Sequence, residues 1–132
     1  MAISRSENMR RIRSRDTTPE LIVRRALRQI GYSGYRLHRR DLPGRPDVAF
    51  VGRKKAIFVH GCFWHGHSCP EGSRLPRSNT EYWLPKIEHN RERDERTVRD
   101  LEAAGWVVLV LWECEIGNQD QLKTRLNEFM RL

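Results

Sequence analysis

Apolar residues are scarce in this chain, and nowhere are they gathered into a long run. Only 38% of its 132 residues are hydrophobic and 8% are aromatic. No stretch nears the ~18 apolar residues of a membrane-spanning helix, which excludes an integral membrane protein. The N-terminal MAISRSENMRRIRSR lacks an apolar segment of the kind found in secretory leaders, so a cytoplasmic location is expected. Cysteine is also sparse: Cys62, Cys69 and Cys114. An odd count without a leader argues against a disulfide framework and leaves metal ligands or buried thiols. Acids are the minority charge, 17 against 25 Lys and Arg. What apolar residues there are fall into short patterned runs, which excludes a disordered chain. The length is that of one domain, spanning residues 1–132.

The excess positive charge has an address. Residues 1–40 hold 11 Arg and 3 acids, whereas the remainder is balanced at 14 of each sign. Arg presents a planar fork of donors that fits phosphate oxygens and guanine edges. A basic N-terminal arm over residues 1–17, with Arg10, Arg13 and Arg15, therefore points to nucleic acid. The plainer reading is a solvated helix face. A polybasic membrane patch lacks a lipidation signal or an aromatic face.

Periodicity orders the elements. Ser4-Arg-Ser-Glu7 forms a capping box ahead of Met9 and Ile12 and predicts a short basic helix. Thr18 as N-cap with Pro19 at the first helical position opens a second helix, with Val23, Ala26, Leu27 and Ile30 inward and Gly31 ending it. Residues 32–45 read as a connection. Asp47–Val51 and Ala56–Val59 predict a hairpin. Residues 60–79 have no period. Thr80 to Ala104 predicts a long helix with Ile87, Val98 and Leu101 inward, its charged stretch Glu88–Arg96 reading as a solvated face. Trp106–Trp112 predicts a strand covered on both faces. Gln119–Leu132 predicts a closing helix with Leu122, Leu126, Phe129 and Met130 inward. The fold class is α/β, a small mixed sheet flanked by helices.

The aperiodic loop carries chemistry. His60 to Cys69 holds two Cys and three His within ten residues. Cys62, His67 and Cys69, with Cys114 just beyond a strand, make a Cys3His set suited to structural Zn2+. His65 could reach the ion in place of His67. Metal-binding energy would order a loop that has no core of its own. A second set lies nearby. Asp47 heads a strand after Leu42-Pro-Gly-Arg-Pro, where a carboxylate can hold Mg2+ or merely cap its own turn. A hairpin would bring it towards His60 and His65. Carboxylate, imidazoles and a basic surface together suit phosphodiester hydrolysis. Phe63 and Trp64 are either packing for the metal loop or wedges that unstack a base step, cheapest at a mismatch. Trp83 fits core or wedge equally. Trp106 and Trp112 read as plain core.

These segments resemble the very-short-patch repair (Vsr) endonucleases. The likeness runs through Asn8-Met-Arg, Arg15-Asp-Thr17, Leu42–Asp47, Ile57–His65, Thr80-Glu-Tyr-Trp-Leu84, Glu92-Arg-Asp94, Gly105-Trp106 and Trp112-Glu-Cys114. It covers about residues 4–130 in the same order. The resemblance implies a divergent restriction-endonuclease-like (PD-(D/E)xK) core with structural zinc. It implies an enzyme that nicks 5′ to the T of a T:G mismatch left by 5-methylcytosine deamination. By the same resemblance, Asp47 and the Val59 carbonyl hold catalytic Mg2+, His65 is the general base, His60 supports it, and Glu20 contacts the water network. Cys62, His67, Cys69 and Cys114 become the zinc ligands, and Phe63, Trp64, Trp83 and Met9 insert into DNA. Double-stranded DNA is the implied partner of a monomer, alongside a cytosine-5 methyltransferase system and mismatch-repair factors. Val59 departs from the Thr of a family member, but a carbonyl is available from either. The Glu-x-Lys pair of the wider superfamily is absent, and so is a C-terminal extension. Two alternatives use the same residues differently: a nickase of another mismatch or sequence context, and a non-catalytic zinc module that binds bent or mismatched DNA.

Overall fold

The computed structural model describes residues 17–62, 65, 67, 69 and 80–132. The helix expected after Ser4 lies outside them. Helix α1 spans Thr18–Gln29, strand β1 Arg36–Leu37, β2 Val48–Phe50, β3 Lys55–His60, helix α2 Thr80–Ala103, β4 Val107–Trp112 and α3 Gln119–Met130. Among the described residues the strands form one mixed sheet in the order β1-β2-β3-β4. β1, β2 and β3 pair antiparallel, while β4 lies parallel to β3. A parallel neighbour requires a crossover, and α2 lies in that connection.

Strand alternation divides the side chains between two cores. Ile57 and Leu111, with Val59 and Leu109, face Val23 and Leu27 of α1 and Leu122, Leu126 and Phe129 of α3. Ala56 and Phe58, with Val108 and Val110, face Leu101 of α2 and Trp106. The period of two along β3 and β4 thus builds a three-layer α/β/α sandwich. Every inward residue expected on α3 is buried.

Four expectations are corrected. The N-cap of α1 is Thr17, one residue earlier, because its hydroxyl reaches the Glu20 N–H at 3.4 Å. The connection 32–45 contains β1, too short to show a period. β4 is an edge strand, so Val107 stays 38% exposed and Val108 to Val110 are only half-buried. Trp112 is half-buried rather than core.

Lys55 is buried at 4% exposure on the α3 side of β3. Its Nζ donates to the carbonyls of Phe129 and Met130 at 2.8 and 2.6 Å. Those carbonyls end α3, where that of Phe129 also accepts from the Leu132 N–H at 3.3 Å, and a cation there suits the helix dipole. Lys55→Met should therefore lower unfolding free energy by about 2–3 kcal/mol, the worth of charged hydrogen bonds. Urea denaturation checks it, and an unchanged midpoint would refute the capping role.

Candidate active site and metal centre

Strand register builds the site at one end of the sheet. β3 and β4 run parallel with His60 opposite Trp112. Cys62 and Cys114 each stand two residues past those partners. The register thus draws the two thiols together, and the turns after the strands complete the cluster. Ligand atoms of Cys62, His67, Cys69 and Cys114 all lie within 4.8 Å of one another. His67 Nδ1 is 3.5 Å from Cys114 Sγ. Its Nε2 faces Glu115 Oε1 at 4.0 Å, and Glu115 is paired with Arg125. A carboxylate behind a ligating imidazole is the usual support of a metal site. Burial pushes the Cys62 thiol up to about 12, so a metal ion would have to displace its proton. Three thiols and one imidazole in this reach fit a tetrahedral ion. Of the two imidazoles, His67 lies with the thiols and His65 does not.

His65 turns instead to a second cluster with His60 and Asp94. Its Nδ1 is 2.5 Å from Asp94 Oδ2, while His60 Nδ1 is 3.9 Å from the same oxygen. The two imidazoles stack with centroids 3.9 Å apart and planes 2° from parallel. Stacked rings this close disfavour two positive charges. Burial, then the neighbouring His65 charge, holds His60 down to about 4. Asp94 fixes the His65 proton on Nδ1 and leaves Nε2 to accept one. Asp94 sits within Glu88–Arg96, read from the sequence as a solvated face, yet its side chain is only 21% exposed. Charge density hid it, because only the neighbours contributed by β3 and its loop reveal the job. Trp112 was likewise read as core. Its ring stacks on His67 at 4.1 Å and stands edge-on to His60 at 5.2 Å. It forms a wall between the two clusters.

A third cluster joins Glu20, His38 and Asp47. Asp47 precedes β2, and its Oδ2 accepts from the Val59 N–H of β3 at 2.7 Å. The side chain thereby extends the ladder past the last backbone pair, Val48 with Ile57. This bond places Asp47 one residue from His60. The turn ahead of it is pressed on α2: Gly44 adopts φ 72, and a Cβ there would collide with the Thr97 side chain. Glu20, 3% exposed in the first turn of α1, accepts from Arg24 at 3.1 Å. Burial pushes Asp47 up to about 7; the Glu20 charge adds to the rise, and the Val59 N–H and Arg24 oppose it. Two hard carboxylates sharing a desolvated pocket fit a divalent cation, whose charge would offset their mutual repulsion.

Trp83 is buried at 6% exposure and edge-on to Tyr82, the aromatic this helix turns outward at 54%. That placement is core packing, as one of the two sequence readings had it. Met9, Arg10, Arg13, Arg15, Phe63 and Trp64 lie outside the described residues.

A family model described as DNA mismatch endonuclease Vsr matches residues 2–71. The chain is similar to the type II nicking enzyme V.XorIIP of Xanthomonas oryzae pv. oryzae, 51% identical over 122 residues, which covers 92% of this chain and 88% of that protein. It is similar to the type II nicking enzyme V.NmeAIP of Neisseria meningitidis, 43% identical over 127 residues, 96% and 89% of the two chains. DNA mismatch endonuclease Vsr of Escherichia coli K12 is 42% identical over 119 residues, 90% of this chain and 75% of that one.

Proposed function

Because this chain belongs to the Vsr family of DNA mismatch endonucleases, we propose that it nicks one strand of duplex DNA, 5′ to the T of a T:G mismatch arising from 5-methylcytosine deamination. The observation that carries the reading is that the Asp47 cluster and the His60–His65–Asp94 cluster adjoin, Asp47 being hydrogen-bonded to the N–H of Val59, the residue before His60. A carboxylate for a cation and an oriented imidazole are the two parts that metal-assisted phosphodiester hydrolysis requires. The core is a divergent restriction-endonuclease-like one, in a single domain over residues 1–132.

Asp47, with the Val59 carbonyl, holds Mg2+. That ion, when bound, polarises the scissile phosphate and offsets the charge that builds on it. His65 Nε2 takes the proton of the attacking water, and Asp94 keeps the ring in the tautomer that can do so. His60, neutral and stacked on His65, holds that ring in plane. Glu20 sets the water network around Asp47. Cys62, His67, Cys69 and Cys114 hold structural Zn2+, which fixes the loop carrying His65. The arm over residues 1–17 grips DNA through Arg10, Arg13 and Arg15, and Met9, Phe63 and Trp64 act at the mismatch, while Trp83 stays packed. The enzyme works as a cytoplasmic monomer, in company with a cytosine-5 methyltransferase and mismatch-repair factors.

Asp94→Asn should slow single-turnover nicking by about 100-fold or more, since the amide can stabilise the wrong His65 tautomer. Retained mismatch affinity, measured by gel shift, separates this from a binding defect; a wild-type rate would remove Asp94 from the machinery. The function itself is tested with separately end-labelled duplexes carrying T:G, T:A or C:G in several flanking contexts, with Mg2+. Cleavage of the T strand alone, at T:G alone, is expected. Cleavage at another mismatch would assign a different context, and T:G binding without any cut would leave a zinc-containing binding module.

A further inference from the structure

Arg24 takes no part in the proposed chemistry, yet it is buried against the cluster of Glu20, His38 and Asp47. Its Nη2 lies 3.1 Å from Glu20 Oε2 and 3.2 Å from His38 Nε2. That nitrogen carries two hydrogens and can only donate. One hydrogen goes to each neighbour, so His38 Nε2 accepts and the ring proton sits on Nδ1. The 3.3 Å between Nε2 and Oε2 is then the separation of two acceptors that share one donor. His38 Nδ1 stands 3.9 Å from Asp47 Oδ1, too far for a direct hydrogen bond. His38 adopts φ 51, a left-handed backbone uncommon outside glycine. That turn brings the imidazole to the guanidinium, which is held between it and Glu20.

A guanidinium keeps its proton at any working pH, so the cluster contains a fixed positive charge. Two ionised carboxylates and one guanidinium leave a single net negative charge. One divalent ion and one DNA phosphate together bring that to zero. Glu20 Oε2 is engaged by Arg24, whereas Asp47 meets the backbone N–H of Val59. Without Arg24, Glu20 would be an uncompensated buried charge, and a divalent cation is the ready partner for one. We infer that Arg24 is a positioning residue that holds Glu20 out of the cation's coordination shell. Asp47 is then the one carboxylate on the ion, and a phosphate of the bound DNA completes the charge. Divalent affinity rises with the number of charged oxygens that reach the ion. The free protein therefore binds the cation weakly, and Glu20 acts on it through water. The inference rests on the reading of Asp47 as the cation's acid.

The test uses the full-length, zinc-loaded protein without DNA, with Mn2+ as the probe, titrated by electron paramagnetic resonance. Arg24→Gln keeps an amide donor for Glu20 and removes the charge. It should bind Mn2+ about tenfold or more tighter than the wild type. A side chain that served packing alone would not raise affinity when replaced. Adding Glu20→Gln to Arg24→Gln restores the charge count, and affinity should return to within a factor of about three of the wild type. Arg24→Lys keeps the charge and should stay within the same range. Unchanged or weaker binding by Arg24→Gln overturns the inference, as does a gain that survives Glu20→Gln, or no Mn2+ binding by any of these proteins. If Arg24→Gln shows no cooperative melt, the wild type carries the test. Carbon-13 on the aspartate carboxyls should couple to bound Mn2+ in pulsed measurements, and carbon-13 on the glutamate carboxyls should not; a glutamate coupling overturns the inference. Asp47→Asn separates the two readings. If it removes Mn2+ binding and nicking while Arg24→Gln changes nothing, only the role of Arg24 falls. If Asp47→Asn keeps both, the catalytic reading falls with it.

Discussion

Asp47→Asn should reduce nicking at least 1,000-fold at saturating Mg2+, the scale on which a catalytic ion stabilises developing charge, and should leave the fold intact. Asn keeps an oxygen for the Val59 N–H, the bond that ties the turn before β2 to β3, but it cannot supply a full negative charge to a cation. The same substitution has a stability signature whose sign follows from the site. Burial first, then the Glu20 charge, raises Asp47 to about 7 from the 3.8 of an ordinary aspartate. The folded protein therefore binds that proton more tightly than the unfolded chain does. Without divalent cations, this favourable contribution is full below about 3.8 and is lost as pH rises through about 7. The wild-type protein, dialysed free of Mg2+ but keeping tightly held metal, should lose stability relative to the Asn variant between pH 4 and pH 7. Added Mg2+ should restore the wild type and leave the variant unmoved. Proton and cation then compete for one carboxylate, so the Mg2+ needed for half-maximal nicking should climb below pH 7. Melting curves and Mg2+ titrations across that range check both. A variant that nicks at the wild-type rate, or a pH dependence identical in the two proteins, would remove Asp47 from the cation site.

Much of this arrangement is legible in the sequence, for a physical reason. Residues whose role is set by the local chain announce themselves. Val23, Ala26 and Leu27 repeat at the helical period because α1 has one face on the core, and Leu122, Leu126 and Phe129 do the same on α3. Sparse cysteines in and near a loop without period have few uses, so Cys62, Cys69 and Cys114 are readable as candidate ligands, and the structure brings them within reach of one another. Asp47 and His60 stand at strand ends and His65 in the loop beyond, where alternation stops and a polar side chain draws notice. The residues that escaped notice are those whose role is set by a distant segment. Asp94 lies among charged neighbours on α2 and is distinguished only by His65, 29 positions earlier. His38 lies in a stretch read as a connection, and its place beside Glu20 and Arg24 follows a two-residue strand. Trp112 belongs to an apolar run and looks like core until its ring is found on His67. In each case the side-chain type was visible and the partner was not.

Cys114→Ser gives the second large effect, because packing and metal binding predict opposite results. Cys114 is exposed in the short turn after β4. As a surface thiol it should tolerate Ser within about 0.5 kcal/mol. As the ligand that ties β4 to the loop after β3, it should not. Structural zinc contributes on the order of 10 kcal/mol in small domains at neutral pH, so even a fraction of that is a large share of a domain's net stability. The expected outcome is bound zinc falling from about one equivalent per chain towards none, with a melting temperature lower by about 10 °C or more, the shift for a few kcal/mol in a domain of this size. Nicking should fall as well, because His65 lies between the ligands Cys62 and His67 and takes its position from their loop. The loss should be recovered neither by Mg2+ nor by more DNA. Metal analysis, thermal melting and nicking assays on one preparation make the comparison. Unchanged zinc content with an unchanged melt would return Cys114 to the surface and leave the convergence of three thiols and an imidazole without a ligand to explain it.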